Sequence, residues 1–120
     1  MTEKQRWPKS VYGVGSEPDP RFTLANERTF LSWIRSALAL VAAGVAIEEL
    51  QVGDDPVLRL WAAGILVLVG ASLSGLSFVR WMNTERAMRQ DRPLPGLHIG
   101  AVIAIASAGA SVLIVFLFLL

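Results

Sequence analysis

The stretch LWAAGILVLVGASLSGLSFV, residues 60–79, runs for twenty positions without a charge. At about 1.5 Å per residue, a helix of that length is roughly 30 Å long, the thickness of a bilayer's hydrocarbon core. A second uncharged run, IGAVIAIASAGASVLIVFLFLL over 99–120, holds twenty-two residues. A chain of 120 residues is one domain at most and cannot wrap two such helices in a soluble core. These two runs make the chain an all-α integral membrane protein.

A third span lies upstream, in LANERTFLSWIRSALALVAAGVAIEEL (24–50). Only Ala37 to Ile47 is wholly apolar, but extension back to Phe30 gives eighteen residues whose single charge is Arg35. Three transmembrane helices follow, at about 23–49, 57–90 and 97–120, with two spans plus an interfacial helix as the alternative. Either Asp19-Pro20 or Thr23 can start the first helix, since both offer a capping oxygen. Residues 1–20 read as a flexible cytoplasmic arm broken by Gly13, Gly15 and three prolines, ahead of a membrane domain over 21–120. The arm has no apolar h-region, so no removable signal peptide is expected. Nothing breaks the second helix at the membrane surface: RWMNTERAMRQ (80–90) is rich in helix formers and carries Glu85 and Arg89 at the favourable i,i+4 spacing. Glu85, Arg86 and Arg89 read as a solvated face, with Arg86 and Arg89 also within reach of lipid phosphates.

Charge sets the expected topology. Lys4, Arg6, Lys9, Arg21, Arg28 and Arg35 precede or begin the first span, and Arg80, Arg86, Arg89 and Arg92 lie between the second and third. The connection between the first two spans carries Glu48, Glu49, Asp54 and Asp55 against Arg59 alone. Basic segments stay inside, which predicts a cytoplasmic N-terminus and an external C-terminus. Small residues predict how the helices pack. Gly100, Ala104 and Ala108 recur at four-residue intervals in the third span, and Gly70 with Ser74 and Ala39 with Ala43 do so in the others. Such faces let helix backbones approach in lipid. Three of them are more than one chain needs to pair its helices once, which points to a ring-like homo-oligomer, with packing within one chain as the alternative.

The charged start of the first span carries the candidate function. At 100° per residue, Ala25, Arg28, Ser32, Arg35, Ala39, Ala42, Ala43 and Ala46 fall in one stripe about 100° wide, with the two guanidiniums stacked two turns apart. An arginine at a span centre costs about 2.5–3.5 kcal/mol and less near an end. Snorkelling to phospholipid headgroups therefore stands beside a protein-lined anion site as a reading of these arginines. Glu27 lies off the stripe and is expected to be structural, pairing with an arginine of the second helix or of a neighbouring copy.

Other chemistry lacks its parts. No catalytic constellation, cofactor motif or phosphate loop is present, and the chain is not expected to be an enzyme. Ser72, Ser74 and Ser77 have no base at their depth, and their hydroxyls are expected to bond back to helical carbonyls. His98 has no companion ligand for a metal. Cysteine is absent, and nothing beyond scattered arginines suggests nucleic acid.

The run RFTLANERTFLSWIRSALALVAAGV (21–45), with RWMNTERAMR (80–89) and the uninterrupted third span, resembles the YidH family of small bacterial inner-membrane proteins. It is also similar to the membrane part of the eukaryotic vacuolar transporter chaperone, or polyphosphate polymerase, complex, whose three-helix subunits surround a polyphosphate-conducting channel. The resemblance implies an inner-membrane location and oligomerisation, with Arg21, Glu27 and Arg28 at that family's motif positions and Arg80 at its basic position after the second span. Phosphate-type anions and the phospholipid bilayer are then the expected partners. Nothing in these residues resembles that complex's polymerase or phosphate-sensing domains.

Overall fold

The computed structural model describes residues 5–96 and 98–120. Residues 1–4 and Leu97 lie outside the described residues, and with them Lys4 and the expected first position of the third span. The helices are α1 (Lys9–Tyr12), α2 (Pro20–Glu49), α3 (Pro56–Arg89) and α4 (His98–Leu119). The described residues contain no strand. Each of α2, α3 and α4 is long and apolar enough to cross a membrane, so the all-α, three-span class holds and α2 has the length of a full span.

Local chemistry fixes the helix ends. Asp19 wins over Thr23 as the cap of α2: its Oδ1 accepts from Arg21 N at 2.9 Å, with Pro20 in the first turn. Asp55 caps α3 in the same way, accepting from Val57 N at 3.0 Å and Leu58 N at 3.3 Å. In the loop between them, the Arg59 guanidinium donates to the carbonyls of Val52 at 3.0 Å and Gly53 at 2.6 Å. Gly53 has φ +82°, and a side chain there would fall 2.7 Å from the Leu117 carbonyl oxygen. The α2–α3 loop and the end of α4 thus close one end of the molecule, and the N-terminal arm with the end of α3 forms the other.

Packing between α2 and α3 is backbone to backbone. A Cβ on Gly70 would lie 2.7 Å from Ala37 O, and one on Gly44 would lie 2.8 Å from Ala63 O. Ala37, Leu40, Ile47, Ala62, Leu66 and Leu73 fill the seam. The three serines of α3 behave as expected: Ser72, Ser74 and Ser77 donate to the carbonyls of Leu68, Gly70 and Leu73 at 2.9, 3.1 and 2.6 Å. α4 is held more lightly, with Ile99 and Leu117 its buried residues among those described. Of the expected packing residues, Gly100 lies against Trp33, where a Cβ would come within 3.6 Å of the ring, while Ala104 and Ala108 are exposed. Between α3 and α4, Ile65, Val69, Val102 and Ile105 border an apolar groove of about 450 Å³.

The segment expected to be a free arm is anchored at Pro8 and Val11, which are buried, although most of its other described residues are exposed. Val11 is fully buried, Trp7 stacks on Phe78 with centroids 6.1 Å apart, and Tyr12 meets Trp81 at 6.4 Å. Gly15, at φ +60°, sits so close to the end of α3 that a Cβ would overlap the Arg89 carbonyl. The arm's two rings lie against Phe78 and Trp81 of α3, which Phe30 of α2 also touches.

Candidate functional site

The cationic stripe on α2 faces away from the rest of the chain. Arg28, Ser32, Arg35, Ala39, Ala42 and Ala46 are exposed, while Ala25 and Ala43, at the stripe's edge, are half-buried beside the buried series Asn26, Ala37, Leu40, Gly44 and Ile47. Arg21, Leu24, Glu27, Arg28 and Leu31 line an open hollow of about 760 Å³. Arg21 is already engaged there, its Nη2 donating to Asp19 Oδ2 at 2.9 Å and its Nε to both Asp19 oxygens. Those bonds hold the Asp19 carboxyl below its ordinary range. Arg28 and Arg35 make no hydrogen bond or ion pair with the described residues. Arg35 lies about one turn beyond Leu31, the last residue lining the hollow, and Arg80, on α3, is turned to the Gly96 carbonyl and does not line it. The structure therefore gathers Arg21, Glu27 and Arg28 and leaves Arg35 and Arg80 apart within one chain.

Glu27, expected to be the structural acid, is exposed; the ion pairs among the described residues are Arg6–Glu17 at 2.6 Å and Arg21–Asp19 at 2.9 Å. The residue before it does the structural work. Asn26 is buried and donates through Nδ2 to Trp81 O at 3.2 Å and to Glu85 Oε1 at 3.2 Å. Thr23 Oγ1 approaches the other Glu85 oxygen at 3.4 Å. Glu85 is 0% exposed and Arg89 is 2% exposed, so the solvated face expected for these residues is an interior one. The Glu85–Arg89 ion pair that their spacing suggested does not form. Arg89 instead donates to Val14 O at 2.9 Å and Tyr12 O at 3.2 Å, while its own carbonyl accepts from Ser16 N at 3.0 Å. Burying either charge is costly, and hydrogen bonds offset part of that cost, from Asn26 and Thr23 to Glu85 and from Arg89 to two arm carbonyls. Burial, reinforced by the charge of Glu85, raises the Tyr12 phenol above its ordinary value. Glu17 is held low by its hydrogen bond from Arg6.

One signal could have found this cluster. Asn26 continues, at helical spacing, the register of Ala37, Leu40, Gly44 and Ile47, whereas Glu85 and Arg89 lie about 90° or more round α3 from Leu66, Gly70, Leu73 and Ser77 and carry no such signal. A polar residue in a buried register points inward.

The segment that brings these contacts together, from the start of α2 to the projecting turn of α3, is what comparison with known proteins matches. The family model for a domain of unknown function, DUF202, matches residues 21–87. The chain belongs to this family. Among DUF202 relatives, inner membrane protein YidH of Escherichia coli K12 is 46% identical over 83 residues, covering 68% of this chain and 72% of that protein. An uncharacterized protein of Mycobacterium tuberculosis H37Rv is 43% identical over 101 residues, covering 75% of this chain and 83% of its own length. No solved structure matches. With three helices of spanning length and this kinship, the chain is a multi-pass inner-membrane protein of the YidH-like DUF202 type. The matched span holds Arg21, Asn26, Glu27, Arg28, Arg35, Arg80 and Glu85, and stops short of Arg89 and Arg92.

Proposed function

We propose that this DUF202 protein assembles into a closed homo-oligomer whose α2 helices face a central hydrated path. There Arg28 and Arg35 bind and pass a phosphate-type anion, polyphosphate included, with Arg21 and Arg80 near the path's mouth. The N-terminus is cytoplasmic and the C-terminus external, following the basic arm and the acidic α2–α3 loop. One observation carries the reading. Arg28, Ser32, Arg35, Ala39, Ala42 and Ala46 are exposed on the isolated chain, and the two guanidiniums among them have no partner among the described residues. In lipid such a surface is costly for Arg35; against another copy's small residues and water it is not. Guanidiniums lining a path can replace an anion's hydration shell. The role is conduction or binding, without catalysis.

A second reading has its own support. The hollow at Arg21, Leu24, Glu27, Arg28 and Leu31 sets cations beside leucines, the pattern that suits a lipid headgroup at the boundary of its tails. On that reading the protein is a non-conducting scaffold anchored by its arginines. Anion efflux from proteoliposomes separates the two. Conduction requires flux from wild type that Arg28→Ala and Arg35→Ala reduce while the oligomer keeps its size. A scaffold gives no flux from wild type.

A further inference from the structure

A second cationic cleft lies at the opposite end of α3 from its cap, on residues with no part in the α2 stripe. Asn83, Arg86, Ala87, Arg92, Pro93 and Pro95 enclose about 390 Å³, and no carboxylate is among them. The two arginines meet there for a local reason. Asp91 takes φ +53°, which turns the chain back so that Arg92 N donates to Ala87 O at 2.8 Å and Arg92 lies over the last turn of α3. Neither guanidinium has a hydrogen-bond or ion-pair partner among the described residues, and Arg86 Nε is buried with none.

The end of a helix normally repels anions through its free carbonyls. Here those of Arg86, Ala87 and Arg89 are taken by Gln90 N at 3.0 Å, Arg92 N at 2.8 Å and Ser16 N at 3.0 Å. Glu85 points to the other side of α3, into the Asn26 cluster. What remains is two like charges converging on one polar cleft, an arrangement that an oxyanion stabilises through charge-assisted, forked hydrogen bonds. Asn83 supplies a neutral amide donor at the rim.

We infer that the cleft of Asn83, Arg86 and Arg92 binds a phosphate group, carried by an anionic phospholipid headgroup or free as inorganic phosphate. The site is separate from the α2 stripe and stands whether or not the chain conducts.

The test uses the full-length protein purified in detergent. Binding of radiolabelled inorganic phosphate is measured by equilibrium dialysis, and retained phosphatidylglycerol by native mass spectrometry, for wild type, Arg86→Ala/Arg92→Ala and Arg28→Ala/Arg35→Ala. The cleft variant is expected to bind about tenfold or more weakly, while the α2 variant keeps this component. Arg86→Lys/Arg92→Lys is expected to recover part of the loss, since lysine restores charge without the fork. Loss for both probes means the site takes phosphate from either source; loss for one names the source. Circular dichroism and elution volume monitor folding, and the exposed Arg92→Ala alone serves if the double variant unfolds. Unchanged binding in the cleft variants, no binding of either probe to wild type, or binding lost only in the α2 variant overturns the inference.

Discussion

Asn26 on α2 and Glu85 on α3, 59 positions apart, are joined by a hydrogen bond of 3.2 Å in the interior of the arm end. The same amide group reaches Trp81 O, so one side chain ties α2 to both the backbone and the carboxylate of α3. Removing it leaves Glu85 buried with one donor fewer. Asn26→Ala is expected to destabilise the protein by about 1–3 kcal/mol. Asn26→Asp is expected to cost more, because it sets a second carboxylate against the first. Thermal or SDS-induced unfolding in detergent micelles measures both, and Glu27→Ala is the control expected to leave stability within about 0.5 kcal/mol.

The arm is latched to α3 through Gly15 and Arg89. Gly15→Ala places a Cβ on the Arg89 carbonyl at a backbone angle that favours glycine, a strain of about 1–3 kcal/mol falling on the latch alone. The arm should then undock while the three spans remain. Limited trypsin digestion at Lys9 checks this: cleavage should be slow in wild type and fast in Gly15→Ala, with unchanged helical circular dichroism. Equal rates would mean that the latch does not protect the arm.

How much of this could be read before the structure depends on how local each signal is. Uncharged length gave the second and third spans, and the first followed with Arg35 inside it; the start of α2 stayed open between Asp19-Pro20 and Thr23, and that of α3 was placed near 57, just inside its Asp55 cap. Burial of Arg89 was hidden because it depends on the arm, through a contact with Val14 that spans 75 positions, and that of Glu85 because its partner Asn26 lies 59 positions away on α2. The i,i+4 spacing of those two residues suggested a surface ion pair and nothing more. Glu27 drew notice through its charge, whereas the neutral Asn26 beside it supplies the structural bond. The stripe of Arg28 and Arg35 was legible as a stripe, but what it meets depends on surfaces outside one chain, which no local pattern encodes.

Tyr12 is the chain's single tyrosine, so its phenolate absorbance reports the latch without interference. Burial first, and Glu85 second, raise its value above 10.0. A group raised on folding stabilises fully below its unfolded value and loses that contribution as pH climbs through the folded one. Wild type should therefore ionise above pH 10.0 and lose arm docking only in that alkaline range. Gly15→Ala should bring the midpoint back toward 10.0.

Two glycines of α3 make a matched pair for the α2–α3 seam. A Cβ at Gly70 would meet Ala37 O at 2.7 Å and Val41 Cγ2 at 2.6 Å, whereas one at Gly75 would meet nothing within 4 Å. Gly70→Ala should force the helices apart at about 1–3 kcal/mol. Gly75→Ala should be neutral within a single chain, with any gain coming from helix propensity. If both variants unfold alike, the seam is not where the structure puts it. If Gly75→Ala disrupts only the oligomer, that face of α3 contacts a second copy.

The chain's lack of cysteine makes single-cysteine cross-linking a direct test of which surface meets its neighbour. Ala42 and Ala46 continue the arginine stripe of α2, and Ala104 and Ala108 form the exposed small face of α4. A disulfide between identical positions of two copies needs Cα atoms within about 7 Å, which near a symmetry axis only the innermost helix achieves. Oxidation of native membranes should therefore give covalent dimers from Ala42→Cys or Ala46→Cys and none from Ala104→Cys or Ala108→Cys. The reverse pattern would put α4 at the axis and turn Arg28 and Arg35 toward lipid. Their guanidiniums would then have only headgroups to bind, and anion flux should be unaffected by their removal.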